Sequence, residues 1–371
     1  MGDCCGPKKP KVSTCEGAPP SALEGAGPQT EAGCCNTSKR FDYLFWGPLL
    51  LVAVFYFTHL IPVVFVPVFT HFSHAIFSMM NTMAWGVVAG VIMVAILSYV
   101  PKEMVIAALG NDKGIKGIFR ATLAGVLLDL CSHGILMVGA KLYERGVSNG
   151  QVMAFLIASP WNSFSLTLIL IAFIGLGWTL LFILFSLIVA IISGLVFNHL
   201  TATAVLPENP HRAEVDESYS LMQALRQLLK GIPFNSVSIK NFVQTGFIES
   251  KMVIRWLLIG VLIAAAIQTF VNDEVFAQYF GASLVGLLLT MIAATIIEVC
   301  SEGASPIAAD IFHRAQAPGN SFAFLMAGVS TDYTEIMVLK ERTRSWKLAL
   351  FLPLVTLPQI FTLAILINFF A

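Results

Sequence analysis

Apolar residues run along this chain in long unbroken blocks, not in the 3.6- or 2-residue alternation of a soluble core. The stretches 43–68, 164–196, 252–271 and 348–370 each exceed the roughly 18 apolar residues that mark a bilayer-crossing helix. Read in order, the pattern predicts spans at 43–67 and 74–100, the second ended by Pro101, and then a basic connector at 102–120. An apolar stretch at 115–146 is interrupted by Cys131-Ser132-His133-Gly134, and one at 149–172 by Ser159-Pro160-Trp161-Asn162-Ser163. A span at 178–198 precedes a polar loop, 200–250, in which 219–229 has the pattern of a short interfacial amphipathic helix. The rest reads as a span at 252–271, a stretch at 281–314 broken at Cys300-Ser301-Glu302-Gly303, a stretch at 320–339 broken near Ser330-Thr331-Asp332, and a last span at 348–370.

The two broken stretches are copies of one another. A shift of 169 positions, without a gap, lays Cys131 on Cys300, Ser132 on Ser301, Gly134 on Gly303, Arg145 on Arg314 and Gly150 on Gly319. The run Ala154-Phe155-Leu156 meets Ala323-Phe324-Leu325, and Asp129 meets Glu298 two residues before each cysteine. Duplicated halves with paired, interrupted apolar segments are the sequence pattern of secondary transporters, and the interruptions point to the binding site. The expected fold is an all-α polytopic membrane protein of two related halves, inverted repeats with broken or re-entrant helices. Its divisions are a polar tail at 1–40, a first membrane half at 41–200, a cytoplasmic loop at 201–250 and a second membrane half at 251–371.

Charge decides between topologies, because cytoplasmic loops collect Lys and Arg. If 115–146 and 281–314 turn back at their breaks, every Lys and Arg except Arg314 falls on the cytoplasmic side. If both stretches cross fully, the basic residues divide poorly. The hairpin arrangement implies seven full spans and two hairpins, a cytoplasmic N-terminus and an external C-terminus. Non-helical backbone at membrane depth is tolerated only when buried or lining a cavity, so the hairpin tips are expected to meet near the midplane.

Ionisable residues within apolar segments are costly and mark function. Here they gather at the breaks: Asp129, Cys131, His133, Glu298, Cys300 and Glu302, then Asp310, Asp332 and Glu335. Cys131 and Cys300 offer two soft sulfur ligands, with His133 as an imidazole, Glu302 as a carboxylate and Ser132 and Ser301 beside them. Thiolate plus imidazole suits zinc, copper(I) or a thiophilic metalloid, so Cys131, His133 and Cys300 form the candidate metal set. Gly134 and Gly303 are expected to allow tight turns, and Pro160 to break its helix. Asp129, Glu298 and Asp332 are candidates for ion coupling or for bonding unwound backbone. Asn162, Ser163 and Thr331 line the second pair of breaks. His59, His71 and His74 flank the first expected external loop, where they read either as ordinary interfacial histidines or as an exit-side metal site.

Composition agrees with this picture. The 371 residues are 57% hydrophobic and 12% charged, about half the charge of a soluble domain. Net charge is zero, which argues against a nucleic-acid partner. The partners expected instead are a small-molecule or metal(loid) substrate, the lipid bilayer and, at most, a second copy of the chain. Five of the seven cysteines, Cys4, Cys5, Cys15, Cys34 and Cys35, lie in the tail. Thiols in a cytoplasmic segment stay reduced, so they could capture a soft metal or arsenic(III); an incidental tail is the competing reading. The tail has no apolar core of a signal peptide, so the first span is expected to direct insertion. No nucleotide-binding loop, nucleophile–base pair or cofactor motif is present. The chain therefore reads as a gradient-driven permease and not an enzyme.

At these motifs the chain resembles the ArsP-type predicted permease family, bacterial permeases linked to efflux of trivalent organoarsenicals and, in one branch, of copper or zinc. The resemblance covers 41–371 and rests on Leu130-Cys131-Ser132-His133-Gly134, Tyr143-Glu144-Arg145-Gly146, Ala154-Phe155-Leu156-Ile157-Ala158-Ser159-Pro160 and Val299-Cys300-Ser301-Glu302. It implies an inner-membrane efflux protein. One departure is chemical: His133 stands where the family's first motif has a second Cys, so the membrane part holds two thiols and not three. The alternatives are an importer of a small anion or sulfur compound, and a membrane sensor whose cysteine-rich tail reports metal to a partner.

Overall fold

The computed structural model describes 43–60, 66–97, 114–127, 132–158, 164–211, 254–297 and 301–371. The tail cysteines, Asp129, Cys131, Pro160, Asn162, Ser163, Glu298, Cys300 and the expected amphipathic helix at 219–229 lie outside the described residues. For Ser132, His133 and Gly134 only the backbone is described. Residues Tyr43–Ala371 form one compact unit.

Every described element is helical. In chain order they are α1 (Tyr43–Leu60), α2 (Pro67–Leu97), α3 (Ile115–Leu127), α4 (Ser132–Glu144), α5 (Asn149–Ala158), α6 (Phe164–Ile174) and α7 (Leu176–Ala202). Then follow α8 (Ile254–Phe270), α9 (Asp273–Phe280), α10 (Leu284–Ile297), α11 (Ser301–Arg314), α12 (Pro318–Thr331), α13 (Tyr333–Thr343) and α14 (Trp346–Phe370). Among the described residues, α7, α12 with α13, and α14 are long and apolar enough to cross a bilayer. The α8–α9 pair, bent by 114° at the Val271-Asn272 junction, makes a fourth such stretch. Helices α3 and α4 are too short to cross. A 13-residue helix such as α3 or α4 is about 20 Å long, less than the bilayer's roughly 30 Å core.

The starts and stops are local chemistry. Pro318 opens α12, at a position where a missing N–H costs nothing. Asp332 ends α12 with φ −54° and ψ 121°, extended backbone that forces a one-residue break before α13. The Ser345 side chain accepts from the Leu348 N–H at 3.3 Å and caps α14. Two expectations shift here. The second span begins at Pro67, not 74, so His71 is a helical residue of α2 instead of a loop residue, and His74 stands two turns into the helix instead of at its start. Gly134 and Gly303 both lie inside the first turn of a helix, α4 and α11, and so do not themselves make the turns.

The surface is inside-out relative to a soluble protein. Leu180, Leu184, Ile192, Ile292, Ile296, Leu354 and Phe369 are exposed, while Thr179, Ser186, Ser193, Gln151 and Asn320 are fully buried. Apolar side chains facing outward are the expected lining against lipid. Buried hydroxyls mostly bond backbone carbonyls in their own helix, as Thr356 does with Leu352 at 2.8 Å. The halves meet through aromatic contacts, Phe182 against Phe322 at 5.4 Å and Trp178 against Phe312 at 5.4 Å.

Candidate substrate-translocation site

The duplication seen in sequence governs the packing. In the first half, α5 lies between α3 and α7; in the second, α12 lies between α10 and α14. The same seam recurs in both. The Gly150 N–H donates to Asn198 Oδ1 at 3.1 Å, and the Gly319 N–H donates to Asn368 Oδ1 at 2.7 Å. Both glycines are needed for close approach: a Cβ at Gly150 would collide with the Gly194 carbonyl, and one at Gly319 with the Ala364 carbonyl.

The contacts between halves obey an exchange rule. Helix α4 packs on α13, and its counterpart α11 packs on α6. At the end of the first pair, Arg342 Nη1 donates to Glu144 Oε1 at 3.1 Å. At the end of the second, His313 Nε2 lies 2.8 Å from the Phe173 carbonyl. Glu144 and His313 are 169 positions apart, and so are Phe173 and Arg342. Each half thus contacts the other through the same pair of positions with roles exchanged, the mark of a pseudo-two-fold axis. The α7–α14 contact lies on that axis, where Gln359 Nε2 donates to Ser193 Oγ at 2.9 Å.

This arrangement brings together the second limbs of the broken elements. The limb that follows the CSHG motif (α4) packs on the limb that follows the Ser330-Thr331-Asp332 break (α13). The limb that follows the CSEG motif (α11) packs on the limb after the 159–163 break (α6). The expected pairing of Cys131 with Cys300 lies outside the described residues; the described contacts pair the limb after the first break of each half with the limb after the second break of the other.

Glu302 and Ser301 are the predicted site residues best defined. They are 5% and 6% exposed, in the first turn of α11, where a carboxylate is favoured by the helix dipole. Pro306 has no N–H for the Glu302 carbonyl four residues earlier. The Ser305 hydroxyl donates to that carbonyl instead, at 2.7 Å. Gly260 of α8 serves packing: a Cβ there would collide with the Gly303 carbonyl. The backbone thus seats this turn tightly against α8. Thr331 bonds Thr295 across to α10 at 3.0 Å, and Asp332 is partly exposed at the break.

At the far end of α11 stands a polar lock that sequence reading left unassigned. Arg314 Nη1 meets Asp310 Oδ2 at 2.8 Å, its Nε meets Asp273 Oδ1 at 2.7 Å, and its Nη2 donates to the Val271 carbonyl at 2.6 Å. Gln268 Nε2 donates to the other Asp310 oxygen at 2.9 Å, and the guanidinium lies 4.6 Å from the Phe276 ring centroid. The lock ties α11 to the α8–α9 bend. Its signal was the single basic residue left outside by the charge pattern.

His59 and His74 approach, with ring centroids 5.3 Å apart, beside a cavity of about 670 Å³ that His71 also lines. Among the described residues no three His, Cys, Asp or Glu gather closely enough to hold a metal.

The chain is similar in sequence to known proteins. The chain is 27% identical over 259 residues to UPF0718 protein YcgR of Bacillus subtilis, covering 68% of this chain and 82% of that one. It is 23% identical over 246 residues to a putative two-component membrane permease complex subunit of Streptococcus mutans, 66% and 77% of the two chains. It is 25% identical over 320 residues to UPF0718 protein MJ0584 of Methanocaldococcus jannaschii, 71% and 85%. No solved structure matches the chain. The model of the predicted permease family ArsP_1 matches residues 68–369, a span that takes in both halves and every described break, and the chain belongs to that family.

Proposed function

We propose that this membrane permease exports a thiophilic species, trivalent organoarsenicals first and copper or zinc second, by gradient-driven alternating access. The observation that carries the reading is the exchange of broken limbs between halves, α4 on α13 and α11 on α6. Broken helices that meet across a repeat interface are how transporters build a site that either side can reach. Cys131 and Cys300 supply the thiolates, with Ser132, Ser301, His133 and Glu302 assisting, and Asp129, Glu298 and Asp332 serve ion coupling. Cys4, Cys5, Cys15, Cys34 and Cys35 collect cargo on the cytoplasmic side of a bacterial inner membrane.

The inverted orientation of the halves is supported by which loops touch. Glu144 with Arg342, and Asn209 Nδ2 with the Tyr143 and Val147 carbonyls at 2.7 and 2.9 Å, join segments that the charge pattern assigns to the cytoplasm. Arg314 with Asp273 joins segments assigned to the other side. An epitope tag at Ala371 is expected to be reached only from outside.

The test is uptake of a methylated arsenic(III) compound, zinc and copper(I) into everted membrane vesicles, beside the Cys131→Ser and Cys300→Ser variants. Accumulation of one substrate, abolished in both variants, is expected. Accumulation unchanged in both would remove the thiolate site, and no accumulation of any substrate by an inserted, folded protein would remove the export reading.

A further inference from the structure

Glu335 lies in the first turn of α13, three residues past the Asp332 break and close to the middle of the 318–343 stretch, and only 4% of its surface is exposed. Among the described residues no Lys, Arg or His is paired with it. Of the elements packed on α13, α12 carries no charged residue. Helix α4 brings Lys141 and Glu144, which bond each other, and Glu144 also takes Arg342 of α13 itself. The side chain of His133, at the start of α4, is outside the described residues. Helix α14 brings Lys347, exposed at its start, while Lys340 lies over the Trp346 ring. Glu341 and Arg344 are exposed. Among the described residues, the nearest charge along the chain is Asp332, three residues earlier and of the same sign.

Two independent observations make this position more than an awkward core residue. The equivalent position of the first half, 169 residues earlier, is Leu166, fully buried. The repeat therefore built this site for an apolar side chain, and the second half keeps a carboxyl there. Beside the same break, the Ser330 hydroxyl is 2% exposed and has no hydrogen-bond partner among the described residues. An unpaired carboxylate in such a place costs several kcal/mol, and the group escapes that cost by taking a proton.

We infer that Glu335 is a proton-binding site of this permease, protonated while the break is buried and deprotonated when α13 opens to water, so that proton movement drives the substrate. The step is a simple transfer: the carboxyl O–H bond breaks as water on the open side takes the proton, and it re-forms from water on the opposite side. The inference rests on the transport reading of the previous subsection, and it names that reading's coupling ion.

Infrared spectroscopy of the full chain in lipid, without substrate, tests the protonated state directly. A carboxylic-acid C=O band at neutral pH, shifted in D2O and lost in Glu335→Gln but kept in Asp310→Asn, is expected. Proteoliposomes then test coupling. An imposed pH gradient should stimulate flux of methylated arsenic(III), zinc or copper(I), and Glu335→Gln should cut that stimulation about tenfold while substrate exchange at equal pH persists. Glu335→Leu, which copies Leu166, is expected to fold with no loss of Tm and to lose the same stimulation. A missing band overturns the inference and leaves the export reading standing. Stimulation that survives in Glu335→Gln, or that follows sodium instead of protons, also overturns it. A band without flux of any of the three substrates overturns the export reading instead.

Discussion

Replacing Gly319 by Ala puts one carbon where the backbone of α14 already stands. The added Cβ would lie well inside van der Waals contact of the Ala364 carbonyl and would crowd Asn368 Oδ1 at 2.7 Å. Neither obstacle is the free end of a flexible side chain, so the two helices must part. Overpacking of this kind costs about 1–3 kcal/mol. Parting also stretches the Gly319 N–H to Asn368 bond, whose loss leaves a buried donor unmet and adds about 1 kcal/mol. The expected total is about 2–4 kcal/mol, less the few tenths returned by a smaller entropy of the unfolded chain. Gly150→Ala should behave alike, because its Cβ would strike the Gly194 carbonyl and Asn198. Gly177→Ala is the control: nothing lies within 4 Å of its Cβ. Thermal unfolding of purified protein in detergent, followed by thiol labelling, should place both seam variants about 5 °C or more below the control. Seam variants as stable as Gly177→Ala would refute the close approach, and with it the claim that both halves use the same seam.

Two further outcomes follow from the charged contacts. Arg314→Met leaves Asp310, whose side chain is 2% exposed, with only Gln268 as partner, and should destabilise by about 3–5 kcal/mol. Adding Asp310→Asn should recover much of that loss in a thermal double-mutant cycle, whereas independent, additive losses would sink the lock. In the connector after α4, the hydrogen bond from Lys141, aided by the Lys141 and Arg342 charges, holds Glu144 below its usual carboxylate range. A depressed folded value means the stabilisation is complete above the unfolded pKa and fades as pH falls through the lower, folded value. Both partners are partly exposed, so the effect should stay under about 1 kcal/mol and weaken with salt. A Tm that rises on acidification in the unsubstituted protein but not in Glu144→Gln would contradict this.

Much of the fold was legible because lipid enforces it. Long apolar runs must be helices in a bilayer, and the interruptions at 159–163 and 330–332 carry Pro160 and Asp332, which stop a helix by known chemistry. Helix α2 was read seven residues short because Thr70, His71 and Ser73 look like loop residues. In a helix they bond backwards, as Thr70 Oγ1 does to the Pro67 carbonyl at 2.7 Å, and cost little. The repeat was legible through 158 on 327 but lost afterwards, because the two C-terminal helices align at 170 and not 169. One inserted residue hid Asn198 and Asn368, the pair that fastens each seam. The exchange of limbs between halves was not legible at all, since no local pattern records which break faces which.

The comparison of halves separates scaffold from chemistry more sharply than either half alone. Where equivalent positions agree in the helix seams, the residue serves packing: Gly150 and Gly319 admit a neighbouring backbone, and Asn198 and Asn368 hold it. Where they disagree at buried or break positions, the second half carries an acid and the first does not. Glu302 stands against His133, Glu335 against Leu166, Asp332 against Ser163, and Asp310 against Lys141. A protein built on a two-fold axis, yet open to one side at a time, must break its symmetry somewhere, and mutation retains a costly buried acid only where it is used. Three of these four acids, Glu302, Asp310 and Glu335, are no more than 5% exposed. They lie on α11 and α13, the limbs that pack on the first half. The acids that the first half lacks therefore gather on the two limbs of the second half that face it.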